Sequence, residues 1–145
     1  MLHKLPDSMD GKNKKYVLYA DDDVDDHMFL RDIVIEKMPD LDIIACEHGM
    51  QLLQWLEKLS PEDRLPCCII LDINMPVLSG IQTLNILKSH AVFKAIPVIM
   101  FTTSSSAHDA QQSLLLGAES FLTKPFDYRQ FQVIADKFLL FCKGE

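Results

Sequence analysis

The sequence predicts an α/β domain built on a doubly wound, five-stranded parallel sheet with five helices. From Lys14 onward, short apolar segments alternate with longer segments of helical periodicity. Strands that are apolar throughout are covered on both faces, and strict β-α alternation places them in a parallel sheet. With 145 residues, of which 48% are hydrophobic, the chain has the size of one domain with its own core.

The elements can be assigned in order along the chain. Apolar segments predict strands at residues 16–20, 41–46, 67–71, 96–101 and 120–123. Apolar residues at helical spacing predict helices that include residues 29–37, 52–59, 84–87, 114–116 and 131–138. Residues 1–13 are polar and contain a proline and a glycine, so we expect a flexible tail before a domain at 14–142.

The charge and the hydropathy of the chain exclude two classes of partner. A formal net charge of -7 gives a surface that repels a phosphate backbone, so direct binding to nucleic acid is not expected. No segment is long and apolar enough for a signal peptide or a bilayer span. We therefore expect a cytoplasmic protein that does not insert into membranes.

The cysteines and histidines lack the spacing of a zinc site or a redox motif. The cysteines lie in apolar segments and are expected to be buried, reduced thiols: Cys46, Cys67, Cys68 and Cys142. The histidines are scattered and are expected to be solvated surface residues: His3, His27, His48, His90 and His108.

Polar side chains follow four of the predicted strands. In a doubly wound sheet, ligands bind at the carboxyl ends of the strands, beside the point where the strand order reverses. That rule selects the residues directly after the first, third, fourth and fifth strands, namely Asp21–Asp23, Asp72, Thr102 and Lys124. We expect the chemistry of the protein at this edge.

Several carboxylates at one sheet edge indicate a cation. Like charges a few ångströms apart destabilise the folded state unless a hard divalent ion neutralises them. Oxygen ligands completed by water suit Mg²⁺. The alternative is that the aspartates cap the first helix. A cap accounts for one of them, such as Asp23, and leaves Asp72 unexplained, so we favour a metal site for Asp21 and Asp22.

Four separated motifs resemble the receiver domain of two-component response regulators. The resemblance extends over residues 14–142, and its motifs are YADDDVDD, LDINMPVLSG around Asp72, VIMFTTS, and FLTKPFD around Lys124. It implies a flavodoxin-like receiver fold and a stand-alone, single-domain response regulator. Such a protein is a phosphoacceptor that assists its own phosphorylation and dephosphorylation, and it is not an enzyme toward other substrates.

The resemblance also implies roles for the acidic residues. Asp72 matches the phosphoacceptor, and Asp21 and Asp22 match the acidic pair that holds Mg²⁺ directly or through water. The main-chain carbonyl of Asn74 would be a further metal ligand. Because three aspartates are consecutive, the sequence leaves open whether the pair is Asp21 and Asp22 or Asp22 and Asp23.

Three other residues match the activation machinery of the family. Thr102 matches the hydroxyl that binds a phosphoryl oxygen, and Lys124 matches the lysine that pairs with the acceptor. Phe121 lies at the position of an aromatic switch that turns when Thr102 moves, although plain core is an equally good interpretation. The step from Lys124 to Pro125 is a candidate cis peptide that would aim the lysine.

The resemblance implies protein partners. The phosphoryl donor would be a sensor histidine kinase or a histidine phosphotransfer protein, and the downstream partner is unknown. With no output domain expected, the signal would pass through the fourth helix, fifth strand and fifth helix, where phosphorylation would promote partner binding or a homodimer. Ile134 and Phe141 are expected to remain partly exposed there.

Three other functions were weighed against this one. A Mg²⁺-dependent phosphohydrolase would use Asp21 as its nucleophile and would need a substrate cap. A flavodoxin-like cofactor module would need an anion-binding loop where the aspartates stand. A receiver-like scaffold that is never phosphorylated would not need suitable residues at the active-site positions. In this sequence every matched position carries one, which disfavours the scaffold.

Overall fold

The computed structural model describes residues 14–144, so the predicted tail at residues 1–13 lies outside the described residues. One parallel sheet has the strand order β2-β1-β3-β4-β5. The strands are β1 (Tyr16–Ala20), β2 (Asp42–Cys46), β3 (Cys68–Leu71), β4 (Val98–Thr102) and β5 (Ser120–Thr123). The order reverses between β1 and β3, which places a crevice at their carboxyl ends. The predicted fold class is confirmed.

Five α-helices connect and follow the strands. They are α1 (Val24–Lys37), α2 (Gly49–Glu57), α3 (Gly80–Lys88), α4 (Ala107–Leu115) and α5 (Tyr128–Leu139). Each begins after a side chain that accepts a hydrogen bond from the first turn, and these caps are Asp23, His48, Ser79, Ser106 and Asp127. Within residues 14–144, none of the helices combines the length and the apolar content needed to cross a bilayer.

The sheet is covered on both faces because successive strand residues point to opposite sides. Leu18 and Ala20 of β1 pack in the core beneath α2 and α3, while Val17 and Tyr19 pack in the core beneath α1 and α5. Both sets of side chains are fully buried. The two cores hold the carboxyl ends of β1 and β3 in fixed positions at the centre of the sheet.

Two helices, α4 and α5, leave apolar side chains at the surface. The fourth helix forms, but Leu114 and Leu115 are 50% and 81% exposed, and its inward positions carry Ser113 and the partly buried Leu116 instead. Beyond the end of α5, Phe141 is exposed, and Ile134 on α5 is only partly buried against the core shared with α1, so the expectation that both remain partly exposed is confirmed. Local spacing did not reveal which helical faces the neighbouring elements cover.

The prediction that all four cysteines are reduced thiols was wrong. Cys67, at the entry to β3, forms a disulfide with Cys142 in the short 3-10 turn after α5. The fold brings their Cα atoms to 5.3 Å, within the range that a disulfide requires. Cys46 and Cys68 are free and buried, and burial raises the pKa of each thiol to about 12.

Candidate functional site

The carboxyl ends of β1 and β3 fix two buried aspartates side by side. The main-chain N–H of Asp21 donates to the carbonyl of Cys46 at 3.0 Å, and that of Asp72 donates to the carbonyl of Ala20 at 3.0 Å. Both bonds continue the parallel sheet one residue beyond the strand. Asp21 is fully buried and Asp72 is 6% exposed, so the two carboxylates lie at the floor of the crevice.

Three aspartates form an oxygen-rich cluster at this point. One carboxylate oxygen from each of Asp21, Asp22 and Asp72 lies within 4.8 Å of the others, and Asp22 is the exposed member. The side chain of Asp23 makes other contacts. Its Oδ1 accepts hydrogen bonds from the N–H groups of Asp25 at 2.9 Å and Asp26 at 3.3 Å. The third aspartate of the run is thus the N-cap of α1.

The carboxylate of Asp21 is held by several donors. The hydroxyl of Tyr19 donates to Oδ2 at 2.7 Å, and the N–H of Asp23 donates to Oδ1 at 2.9 Å. Burial raises the pKa of Asp21 to about 6, since the loss of water outweighs the opposing effects of Lys124 and Tyr19. The charged form of Asp21 is therefore costly in the absence of further positive charge.

Lys124 supplies the positive charge of the site. Its Nζ lies 2.7 Å from Asp21 Oδ2, 2.7 Å from Asp26 Oδ2 and 3.5 Å from Asp72 Oδ2. Burial alone would lower the pKa of Lys124, but hydrogen bonds and charges from these carboxylates outweigh it and hold the pKa above its usual value. One ammonium faces three carboxylates, so the site carries a surplus of negative charge.

The prediction of a cis peptide between Lys124 and Pro125 was wrong. Among residues 14–144 the backbone contains no cis peptide bond. The N–H of Lys124 instead donates to the carbonyl of Thr102 at 2.7 Å, which extends the pairing of β4 and β5 by one residue. That bond and the ion pairs aim the lysine into the site.

The loop after β3 returns tightly to Asp72. Asp72 Oδ1 accepts a hydrogen bond from the N–H of Ile73 at 2.8 Å. Gly80 begins α3 against this backbone, and a Cβ there would lie 2.1 Å from the carbonyl oxygen of Asp72. Only glycine permits that approach. Asn74 lies in the same loop with its side chain exposed, and the role of its carbonyl stays a prediction.

Thr102 and Phe121 are held in ordinary ways in this structure, and their role as a switch stays a prediction. Thr102 ends β4, is fully buried, and its hydroxyl accepts a hydrogen bond from the N–H of Ser104 at 3.3 Å. Phe121 is partly buried and packs against the core beneath α2 and α3.

Sequence reasoning missed three neighbours of the cluster. Tyr19 precedes Asp21 by two positions, so strand alternation aims both side chains to the same face. Asp26 stands in the first turn of α1, where the helix turns its side chain back toward Lys124. His27 was expected to be solvated, but it is partly buried, with Nε2 2.7 Å from the carbonyl oxygen of Asp21 and its ring centroid 4.4 Å from that of Tyr19.

The arrangement fits a hard divalent cation. Its three clustered ligand groups are carboxylates, the oxygen donors that Mg²⁺ prefers, and the exposed Asp22 leaves one side open to water. The surplus negative charge and the raised pKa of Asp21 are both relieved by a bound cation. The Lys124 ammonium, 2.7 Å from Asp21 and 3.5 Å from Asp72, adds one positive charge beside the cluster.

Comparison with known proteins identifies related sequences. A family model described as response regulator receiver domain matches residues 17–136. Protein PilG of Pseudomonas aeruginosa is 39% identical over 85 residues, which is 59% of this chain and 59% of PilG. Chemotaxis protein CheY1 of Helicobacter pylori is 30% identical over 106 residues, 71% of this chain and 82% of CheY1. The aligned part is thus less than two thirds of PilG.

Solved structures agree on the fold. The crystal structure of the Mn(2+)-bound form of response regulator Rcp1 superimposes with a TM-score of 0.78 at 24% sequence identity. The match covers 88% of this chain and 94% of Rcp1. At this identity the likeness extends to the architecture of sheet and helices.

Proposed function

Because this chain belongs to the response regulator receiver family of two-component signalling, we propose that it accepts a phosphoryl group on Asp72 from a phosphohistidine donor in a Mg²⁺-dependent reaction. One observation carries the proposal. Asp72 belongs to the acidic cluster, and its Oδ2 also lies 3.5 Å from the Lys124 ammonium, so one carboxylate faces both the proposed cation site and a positive side chain. The direct test compares phosphorylation of the wild type with that of an Asp72→Asn variant, which should not be labelled.

The proposed reaction is an in-line transfer of a phosphoryl group. An oxygen of Asp72 forms a bond to phosphorus while the bond from phosphorus to the donor nitrogen breaks, and the product is an aspartyl phosphate. A carboxylate is a weak nucleophile and the donor is itself negative, so catalysis depends on positioning and on neutralisation of charge. Lys124 attracts the phosphoryl oxygens, and the Thr102 hydroxyl donates a hydrogen bond to one of them.

Mg²⁺ is the proposed cofactor. Asp21, Asp22 and Asp72 would hold it together with the carbonyl of Asn74, and it would neutralise charge on the transferring group. Both oxygens of Asp21 already accept hydrogen bonds or face Lys124, which supports contact through water for Asp21 and direct contact for the exposed Asp22. Rcp1, which shares the fold, has a Mn(2+)-bound form.

The contacts of the Asp21 carboxylate do not suit a phosphohydrolase that uses Asp21 as its nucleophile. Asp21 is fully buried, and its carboxylate is engaged by Tyr19, Lys124 and a main-chain N–H. We therefore assign the chain no substrate other than its own phosphodonor. A sensor kinase or phosphotransfer protein is the proposed donor, and signalling by protein contacts, including a homodimer that forms on phosphorylation, is the proposed output.

Replacement of Asp22 by alanine is expected to weaken Mg²⁺ binding by more than about tenfold, because the exposed carboxylate is a direct ligand in the proposed site. The metal-free Asp22→Ala variant should be at least as stable as the wild type, since one repelling charge is gone. Thermal melts with and without Mg²⁺ measure both effects, because a ligand stabilises the folded state that binds it.

Asp23→Asn is the matched control for this experiment. Asparagine caps a helix about as well as aspartate, so this variant loses one charge of the same run but retains the start of α1. Its Mg²⁺ affinity should stay within a few-fold of the wild type. A wild type whose melting temperature does not respond to Mg²⁺, or an Asp23→Asn variant that loses binding while Asp22→Ala retains it, would refute the assignment.

Mg²⁺ binding is expected to weaken as the pH falls below about 6, the value to which burial raises the pKa of Asp21. Above that pH the Asp21 carboxylate is charged and can bind Mg²⁺ directly or through water. Below it, Mg²⁺ must displace the proton from Asp21. The dissociation constant should therefore rise by up to about tenfold per pH unit. Calorimetric titration with Mg²⁺ from pH 5 to 8 measures it.

Tyr19→Phe tests the cause of this pH dependence. The Tyr19 hydroxyl lowers the pKa of Asp21. Removal of this hydroxyl should therefore raise that pKa and move the pH at which Mg²⁺ binding weakens to a higher value. Tyr16→Phe is the matched control, because the Tyr16 hydroxyl donates to the carbonyl of Arg64 instead. Mg²⁺ affinity that does not change between pH 5 and 8 in all three proteins would contradict the assignment of Asp21.

A further inference from the structure

Asp26 is a nearer partner of Lys124 than the proposed phosphoacceptor is. The Lys124 ammonium lies 2.7 Å from Asp26 Oδ2 and 3.5 Å from Asp72 Oδ2. Both side chains of the Lys124–Asp26 pair are largely buried, with 8% and 14% of their surfaces exposed. Water therefore screens this pair less than an ordinary surface ion pair.

The charge of Asp26 is not part of the metal cluster. Among the described residues, the carboxylates that come together within 4.8 Å are those of Asp21, Asp22 and Asp72. Asp26 lies instead on α1, one position after the exposed Asp25, and the Asp23 cap fixes this turn through the N–H of Asp26. The capped first turn of α1 thus holds an extra carboxylate against the lysine, and a cation in the cluster would leave that carboxylate in place.

We propose that Asp26 is a positioning residue that competes with the phosphoryl group for the Lys124 ammonium. The inference rests on the proposed function of Asp72. In the unphosphorylated protein Asp21 and Asp26, each 2.7 Å from the ammonium, hold it closer to themselves than to Asp72, which is 3.5 Å away. When a phosphoryl group is present on Asp72, Lys124 turns to its oxygens and loses the short contact with Asp26. Because this contact is lost, the phosphorylated state is less stable than it would be without Asp26.

Beryllofluoride, a stable mimic of the aspartyl phosphate, tests the competition through binding alone. At saturating Mg²⁺, Asp26→Asn should bind beryllofluoride at least about threefold to fivefold more tightly than the wild type, because an exposed ion pair already reaches about that size and this pair is largely buried. Titration followed by fluorine NMR gives the dissociation constants. Asp25→Asn removes the same charge from the same helix turn, and its dissociation constant should change by less than about twofold.

The NMR signal of the Lys124 ammonium separates positioning from a general effect of charge. In protein labelled with ¹⁵N-lysine and free of beryllofluoride, two short carboxylate contacts should slow the exchange of the ammonium protons. Asp26→Asn should shift or broaden this signal, and Asp25→Asn should leave it unchanged. If Asp26→Asn binds beryllofluoride as the wild type does or more weakly, or if Asp25→Asn tightens binding equally, the competition is overturned. A wild type that binds no beryllofluoride would instead overturn the proposed function of Asp72.

Discussion

An Asp72→Asn variant is expected to take up no phosphoryl group from acetyl phosphate, whereas the wild type becomes labelled at a single acid-stable, base-labile site when Mg²⁺ is present. Asparagine has nearly the shape of aspartate, so the loop from Ile73 to Gly80 should keep its course. The side chain loses the carboxylate oxygen that attacks phosphorus, and an amide is too weak a nucleophile to replace it. Incorporation of radiolabelled phosphate measures the effect.

The neighbouring Asp23→Asn variant is the control for this labelling experiment. Asp23 caps α1 and lies beside the cluster without belonging to it, so labelling should proceed as in the wild type. Peptide mapping after borohydride trapping identifies the modified residue. Undiminished labelling of the Asp72→Asn protein at another residue would falsify the assignment of the phosphoacceptor, and labelling that does not require Mg²⁺ would remove the proposed metal from the reaction.

Reduction of the disulfide between Cys67 and Cys142 is expected to lower the free energy of unfolding by about 4 kcal/mol. The two cysteines are 75 residues apart in the sequence, and the bond restricts the unfolded chain much more than the folded one. In a chain of this length such a loss lowers the melting temperature by about 10 °C. Thermal melts with and without a phosphine reductant measure the change.

A Cys67→Ser variant separates the disulfide from other effects of the reductant. It should melt at the temperature of the reduced wild type and should not respond to the reductant. The free thiols of Cys46 and Cys68 are buried with raised pKa values, so exchange with the disulfide should be slow. Identical melting of oxidised and reduced wild type would show that the disulfide does not stabilise the fold.

The sequence by itself determined the sheet and the edge at which the site lies. Apolar segments placed the first and fifth strands at their observed bounds, 16–20 and 120–123, and the other three within two residues. In a parallel sheet the carboxyl ends of all strands meet at one edge, so Asp21, Asp72 and Lys124 were expected at the same edge once the strands were assigned. Local periodicity and chain direction are sufficient for both predictions.

Only the tertiary structure decided how the side chains at that edge are distributed. Asp23 caps α1 while Asp21 and Asp22 join the cluster, and Asp26 contacts a lysine that is 98 positions away in the sequence. The disulfide from Cys67 to the end of the described chain has the same origin. These contacts depend on ångström-scale distances between elements that are remote in the sequence. The packing of α1 and α5 against the sheet sets those distances, and residue spacing along the chain does not contain them.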